Sequence, residues 1–336
     1  MTTSLLGALV LGGFALGATA ATAAPRPSGQ LKVDISVPSA LVSNGRHVWI
    51  ANTGSSSVLE LDAATGRELR NVAGSTYRFD ISDAIATYGD HVWVANSASN
   101  SVTVFHASTG KLIRVLSGPA YRFEVPSAMV VADHHVFVLN GAGSRVTELD
   151  ETTGRRLRVL TGPLYRFAGT HAMVVVHHDV WTANGAGKGS LTEFNAVTAK
   201  VVRVISSGSA RLDAPTSLAS DGIRLWVSNA LGGHISEVAV ANGHLMRTIS
   251  NSTHQLSGLD SLAWSGRTLW GADQQRSGLV LAFDETSGKT TVVLAHRFGF
   301  PAVSADAHHI WVVDRTQSRV TELNPATGAI VRVITN

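Results

Sequence analysis

The side chains best suited to chemistry are two carboxylates and an imidazole that occupy one position of a repeated pattern. Asp83, His171 and Asp260 each stand near the start of a short apolar segment, in the second, fourth and sixth repeats. Such a group suits a divalent cation, or a general acid and base. In a closed ring they could converge on the axis as catalytic or metal-ligating residues. Polar groups lining a water-filled channel explain the pattern equally well, so both interpretations stay open. The other repeats carry Ser39, Ser127, Thr216 and Ala302 here.

A second candidate site is a Tyr-Arg-Phe motif just before these apolar segments. It is complete at Tyr77-Arg78-Phe79, Tyr121-Arg122-Phe123 and Tyr165-Arg166-Phe167, and fragments remain at Arg211-Leu212 and Arg297-Phe298. Exposed Tyr and Arg combine apolar area with hydrogen bonding and are favoured in recognition surfaces. The motif therefore predicts a ligand-binding patch for an acidic or aromatic partner. The alternative is structural, with Phe plugging the fold and Arg capping carbonyl groups.

Composition excludes several classes of protein. The chain has 336 residues, no cysteine, 44% hydrophobic and 15% charged residues. Without thiols, a disulfide scaffold or a cysteine-ligated zinc site is impossible. The aliphatic content argues against a disordered chain. The 27 basic and 24 acidic residues give a net charge of only +3, so the distribution of arginine matters more than its total.

An aromatic position sets a repeat of about 44 residues. It is separated by 44, 44, 44, 45, 44 and 41 residues along the chain, which defines seven units. Its members are Trp49, Trp93, Phe137, Trp181, Trp226, Trp270 and Trp311. An aromatic side chain repeated in every unit is best explained as packing between units.

Each unit contains four short strand patterns, as residues 126–160 show. An apolar run is followed by a polar turn, a second apolar run, a glycine-rich break, an alternating segment and a closing hairpin. Four strands in about 44 residues are typical of a propeller blade. The sequence predicts an all-β, seven-bladed β-propeller over 38–336, with four antiparallel strands per blade. Residues 25–37 are a possible closing strand.

The meander fixes two faces of the predicted ring. Loops between second and third strands lie on the same face as the connections from each fourth strand to the next blade, and we call this the top face. The first and third turns of each blade lie on the bottom face. The Tyr-Arg-Phe motifs therefore belong to the top face.

Opposite charges ten residues apart face one another across the third hairpin of five repeats. Such cross-strand pairs contribute about 0.2–1 kcal/mol each. The second repeat keeps Arg114 but has Val104, and the sixth pairs Ala282 with Val292. The charged pairs are Glu60 with Arg70, Glu148 with Arg158, Glu193 with Arg203, Glu237 with Arg247 and Glu322 with Arg332.

The segment HVWVANSASNSVTVFHASTGKLIRVL at 91–116 resembles the YVTN repeat of secreted, YncE-like seven-bladed propellers. More loosely, the chain is similar to NHL and streptogramin-lyase propellers, and the resemblance covers roughly 38–336. It implies the propeller fold, with activities that range from binding to lactonase or lyase chemistry. Streptogramin lyases use a metal held by histidine and glutamate near the channel, but this chain has no Glu-x-His motif.

The first 24 residues have the form of a secretory signal peptide. They contain an apolar stretch from Leu5 to Leu16 and an Ala21-Thr22-Ala23 cleavage motif, although no Lys or Arg precedes the apolar run. No later segment is long enough to span a membrane. The sequence predicts a secreted, extracellular, monomeric protein.

Three functions are compatible with these patterns. The first is a non-catalytic propeller that binds a protein or small-molecule ligand through its top face. The second is a metal-assisted lyase or lactonase at the central channel, with a divalent cation on Asp83, His171 and Asp260. The third, implied by the YncE-like resemblance, is binding of single-stranded nucleic acid.

Overall fold

Twenty-nine strands form seven sheets in the computed structural model, which describes residues 30–250, 256–273, 278–294 and 298–336. The predicted signal peptide and Arg297 lie outside the described residues. Strand β1 spans Gln30–Lys32. The blades are: blade 1, β2 (Pro38–Ser43), β3 (His47–Asn52), β4 (Ser57–Asp62), β5 (Glu68–Ala73); blade 2, β6 (Ser82–Tyr88), β7 (His91–Asn96), β8 (Ser101–His106), β9 (Leu112–Leu116); blade 3, β10 (Pro126–Ala132), β11 (His135–Asn140), β12 (Arg145–Asp150), β13 (Arg156–Leu160); blade 4, β14 (Thr170–Val176), β15 (Asp179–Asn184), β16 (Ser190–Asn195), β17 (Val201–Ser206); blade 5, β18 (Pro215–Ser220), β19 (Arg224–Asn229), β20 (His234–Ala239), β21 (Leu245–Ile249); blade 6, β22 (Leu259–Ser265), β23 (Thr268–Asp273), β24 (Val280–Asp284), β25 (Thr290–Leu294); blade 7, β26 (Pro301–Ala305), β27 (Ile310–Asp314), β28 (Arg319–Leu323), β29 (Ile330–Thr335).

The sheets confirm the predicted seven-bladed β-propeller. Each blade is an antiparallel meander in sequence order, and the first strands of neighbouring blades contact one another around the centre. In the described ranges, helix is confined to single turns at Ser75–Tyr77, Ser207–Ala210 and Leu256–Gly258. Within the described part of the chain, no helix has the length and apolar character needed to cross a membrane.

The ring closes through the segment before blade 1. Strand β1 pairs in parallel with β29, which makes blade 7 a five-stranded sheet. Val33 and Ile35 follow β1 and are buried between blades 7 and 1, in a cluster that includes Trp311 and Val48. The N-terminal segment thus joins the last blade to the first.

The repeated aromatic residues fill the space between blades, as predicted. Trp49 of blade 1 is buried with Ile85, Val92 and Phe105 of blade 2, and its ring lies edge-on to that of Phe105 at 5.6 Å. Aromatic side chains bury large areas and favour such edge-to-face contacts. Because a wedge of space recurs at every junction, the sequence repeats the side chain that fills it.

The ion pairs across the third hairpins are also confirmed, and their arginines make further hydrogen bonds to the next blade. Arg158 Nε lies 2.8 Å from Oε2 of the buried Glu148. Its two terminal nitrogens donate to the carbonyl oxygens of Thr198 at 2.7 Å and Val197 at 3.0 Å, in the third hairpin turn of blade 4. The arginine therefore ties its own hairpin to the following blade.

In the sixth blade the predicted partner of Ala282 is wrong. Ala282 faces Thr291, because the bulge in this hairpin lies between Val280 and Leu281. In the other hairpins the bulge follows the glutamate position, as between Glu148 and Leu149. A displaced bulge shifts the register by one residue.

Candidate functional site

The channel residues predicted from the sequence are placed by β-bulges. In six blades the register shifts where the channel residue stands, so that Asp83 lies in the bulge between Ser82 and Ala84, and His171 between Thr170 and Ala172. Blade 7 has regular pairing at Ala302. A bulge re-aims a side chain and is common beside functional sites.

The channel side chains have separate surroundings. Asp83 Oδ1 lies 3.8 Å from Nη2 of Arg315, which extends from blade 7 past blade 1. A Cβ on Gly185 would lie 3.0 Å from Cδ2 of His171, so that glycine leaves room for the imidazole. Among the described residues, no three His, Cys, Asp or Glu side chains lie close enough together to hold a metal ion. The predicted trio of Asp83, His171 and Asp260 is not assembled as a cation site.

Some channel positions have a structural role. Thr216 Oγ1 donates to the carbonyl oxygen of Leu259 on the next first strand at 3.2 Å, and Ser39 makes the corresponding bond to Ser82. Since first strands of different blades share no ladder, these hydroxyl groups link them. Ser39 and Thr216 therefore stabilise the inner wall of the ring.

The Tyr and Phe of the top-face motif anchor its loop. Tyr77 Oη donates to the carbonyl oxygen of Gly110 at 2.7 Å, and Phe79 is buried between blades 1 and 2. Tyr165 Oη donates to Ala199 O at 2.8 Å, and burial raises the pKa of this phenol. Tyr121 packs parallel to Phe123 at 5.4 Å. The structural interpretation is therefore supported for the aromatic members of the motif.

The arginines of the motif are different, because their side chains are exposed. Each lies in the left-handed backbone region, with φ between 50° and 55°. This conformation costs an L-residue about 1–2 kcal/mol. Within the described residues, none of these guanidinium groups has a hydrogen bond or ion pair, so they do not cap carbonyl groups. We call Arg78, Arg122, Arg166 and Arg211 the outer arginine set.

An apolar group, missed in the sequence, stands directly before the first strands of four blades. In blades 2 and 3 it lies three residues after an arginine of the outer set. Val37, Ile81, Val125 and Phe300 have φ values of 46–52° and exposed fractions of 39–57%. A β-branched residue with positive φ is a genuine outlier. We call these four residues, on the contiguous blades 7, 1, 2 and 3, the inner apolar set. Its only sequence signal is an apolar residue before the start of a first strand, and exposure cannot be read from that signal.

The backbone at the inner apolar set is fixed by one repeated hydrogen bond. The carbonyl oxygen of Ile81 accepts from the amide of Ser97 at 3.0 Å, and that of Val125 accepts from Gly141 at 2.9 Å. Blade 4 has Gly169 at the same position, where positive φ costs little. The fold requires the left-handed turn, but it does not require a large apolar side chain there.

Among the described residues, the positive charge of the top face is least compensated by carboxylates on blades 3 and 4. Glu124, two residues after Arg122, is paired with Arg145. Arg166 is followed by no acidic residue in its loop, and exposed Lys188 lies in the second loop of the same blade. By contrast, exposed Asp80 stands two residues after Arg78. The net field of the top face is therefore asymmetric.

Comparisons with known proteins agree with this architecture. Residues 54–333 match the model of a family described as outer membrane protein assembly factor BamB. The chain belongs to the BamB family. No curated protein matches the chain in sequence. The match begins after β3, so it covers blades 2 to 7 and the outer half of blade 1.

Two solved structures share the fold of this BamB-family chain. Virginiamycin B lyase from Staphylococcus aureus has a TM-score of 0.67 at 13% identity, over 83% of this chain and 92% of the lyase chain. Kuenenia stuttgartiensis hydrazine synthase has a TM-score of 0.69 at 15% identity, over 89% and 98%. At these identities the likeness shows the fold alone.

Proposed function

We propose that this propeller is a non-catalytic binding protein whose top face docks an acidic protein segment with apolar side chains. The observation that carries the proposal is the pairing of the inner apolar set with the outer arginine set. Arg78 and Ile81 share one loop, and Arg122 and Val125 share the next. Both members of each pair are exposed in left-handed backbone.

This arrangement has the anatomy of a protein interface. Apolar residues occupy the centre and arginines the rim, and arginine is enriched in interfaces whereas lysine is depleted. Strained residues persist where the surrounding fold over-determines them, and they cluster at functional sites. The unpaired guanidinium groups are available for carboxylates, with which arginine forms bidentate hydrogen bonds.

The family description supports a binding role, since an assembly factor acts by engaging other proteins. We also propose that the chain is secreted as a monomer, as the first 24 residues and the closed ring suggest. A closer kinship with YncE-like propellers is a further proposal, supported by residues 91–116. None of these points requires the channel to be catalytic.

A binding experiment with an acidic, aromatic probe tests the proposal. A fluorescently labelled copolymer of glutamate and tyrosine is titrated with the protein and followed by anisotropy. Replacing Arg78, Arg122 and Arg166 with alanine should weaken binding at least about tenfold, or about 1.4 kcal/mol. The affinity should fall as salt rises, because exposed charges are screened.

A matched variant separates the site from net charge. Arg46→Ala, Arg67→Ala and Arg155→Ala remove three exposed arginines from bottom-face turns, and this variant should bind within about twofold of the parent protein. Equal weakening in both triple variants would refute a top-face site. Tighter binding of oligothymidylate than of the acidic copolymer would replace the proposal with single-stranded nucleic-acid binding.

The inner apolar set can be tested without disturbing the fold. Ile81→Gly with Val125→Gly removes left-handed strain of about 1–2 kcal/mol per residue and adds a glycine entropy cost of about 0.5–1 kcal/mol. Stability measured by urea unfolding should hold or rise slightly, while copolymer affinity falls severalfold. Ala214→Gly, at the equivalent position of blade 5, should leave affinity unchanged. Unchanged affinity in the double variant would remove these residues from the interface.

A further inference from the structure

Six of the seven blade junctions place an arginine from the fourth strand against the third hairpin turn of the next blade. Arg70 donates to the carbonyl oxygens of Ala107 at 2.8 Å and Ser108 at 2.9 Å, and Arg332 donates to Ala64 at 2.8 Å across the ring closure. Even without a glutamate partner, Arg114 lies against Gly154 of the next turn. The six residues are Arg70, Arg114, Arg158, Arg203, Arg247 and Arg332.

The junction between blades 6 and 7 lacks both members of this arrangement. Ala282 takes the place of the buried glutamate, and the residue facing it is Thr291. The following turn of blade 7 keeps the repeated geometry, with the amide of Gly328 donating to Asn324 O at 2.8 Å. The turn is therefore built as at the other junctions, but it receives no arginine from its neighbour.

A cavity of about 230 Å³ opens at this junction. It is lined by Trp270, Lys289 and Thr291 of blade 6, and by Pro325 and Ala326 in the turn of blade 7. It belongs to the bottom face, on the opposite side from the outer arginine set. The cavity lies where the guanidinium of the arginine and the carboxylate of the glutamate lie at the other junctions.

Blade 5 shows which groups are absent at this junction. There Glu237 Oε2 accepts from Arg247 Nε at 2.6 Å and from Trp226 Nε1 at 3.2 Å. In blade 6, Trp270 lines the cavity but is only 1% exposed, and its Nε1, like those of Trp93, Trp181 and Trp311, has no hydrogen-bond partner among the described residues. The charged side chains that line the cavity are Lys289 and Asp284.

We propose that this cavity binds a small guanidino carboxylic acid, a molecule with a guanidinium and a carboxylate joined by a short linker. Its guanidinium donates to the turn carbonyls of Pro325 and Ala326, as the chain's own arginines do at other junctions. Its carboxylate pairs with the exposed ammonium group of Lys289. The ligand supplies the two groups that blade 6 lacks.

Isothermal titration of the full chain with guanidinoacetate tests this site. The parent protein should bind one equivalent with a millimolar or tighter dissociation constant. Methylguanidine, which lacks the carboxylate, and glycine, which lacks the guanidinium, should each bind at least about tenfold more weakly. Absence of binding by guanidinoacetate, or equal binding of methylguanidine, would overturn the proposal.

Two variants locate the bound ligand. Ala282→Glu with Thr291→Arg restores the pair found in other blades, fills the cavity and should abolish binding. Lys289→Ala removes the cation that pairs with the carboxylate, and should weaken binding at least about fivefold. Unchanged affinity in either folded variant would place the ligand elsewhere. The triple alanine variant of Arg78, Arg122 and Arg166 should bind guanidinoacetate normally, so this site and the top face can fail independently.

Discussion

At the scale of single residues, the buried glutamates of the third strands differ through one neighbour. Glu60 and Glu148 each have an imidazole nitrogen at 2.6 Å, from His47 and His135. Glu193 has Asp179 beside it instead. Burial raises the pKa of all three, but that of Glu193 rises to about 7, because the Asp179 carboxylate opposes the compensation by Arg203.

The raised pKa of Glu193 predicts a pH-dependent stability. Between about pH 4.5 and 7 the folded protein holds a proton that the unfolded chain releases, so the free energy of unfolding falls as pH rises. Glu193→Gln should remove roughly 1–3 kcal/mol of this decline. Asp179→His, which restores the residue of blades 1 and 3, should flatten it too. Urea unfolding at several pH values measures the slope.

A control variant assigns the pH slope to this pair. Glu68 is exposed on the fourth strand of blade 1, and Glu68→Gln should leave the slope of the parent protein intact. If Glu193→Gln retains the parental slope, another group titrates in this range. The repeat allowed the Glu and Arg positions to be predicted, but the raised pKa of Glu193 depends on its burial and on the charge of Asp179 beside it, which spacing alone does not reveal.

At the scale of structural elements, the third hairpin does more than its sequence pattern indicates. Spacing of ten residues predicts the contact between Glu148 and Arg158 within one hairpin. The bonds from Arg158 to Thr198 and Val197 join residues about 40 positions apart, so they depend on how blades stack. The displaced bulge beside Ala282 is equally invisible in the sequence, because no charged pair marks the register there.

Two arginines on equivalent strands separate the cross-blade bonds from the buried ion pair. Arg158→Ala leaves the buried Glu148 with only the His135 imidazole as a partner and should lower the free energy of unfolding by about 1–3 kcal/mol. Arg114 faces Val104 rather than a glutamate, so Arg114→Ala should lower the free energy of unfolding by less than about 1 kcal/mol. Chemical denaturation of both variants measures the difference. Similar losses would mean that contacts of these arginines with the next blade, rather than the ion pair, carry the stability.

At the scale of the whole molecule, the seven repeats were sufficient to predict a closed ring, since four strands in about 44 residues leave few other folds. The aromatic position predicted the packing between blades for the same reason. The functional surface was harder to predict. Arg78 is visible in the sequence as part of a motif, whereas Ile81 becomes notable only through its left-handed backbone and exposure. The trio of Asp83, His171 and Asp260 shared a repeat position, but among the described residues no three such side chains lie close enough together to hold a metal ion.

Closure of the ring gives the last prediction, because it depends on one short segment. Ile35 is fully buried between blades 7 and 1, in the position that Phe79 and Phe167 occupy at other junctions. Ile35→Ala should lower the free energy of unfolding by about 2–5 kcal/mol through loss of this contact. Lys32→Ala, in the adjoining strand but exposed, should change it by less than about 0.5 kcal/mol.

Urea unfolding and limited proteolysis measure both effects, and protease cleavage in Ile35→Ala should begin near blades 7 and 1, the two blades the segment joins. A loss below about 1 kcal/mol would show that these blades hold together without the segment, through Arg332 and the shared core alone.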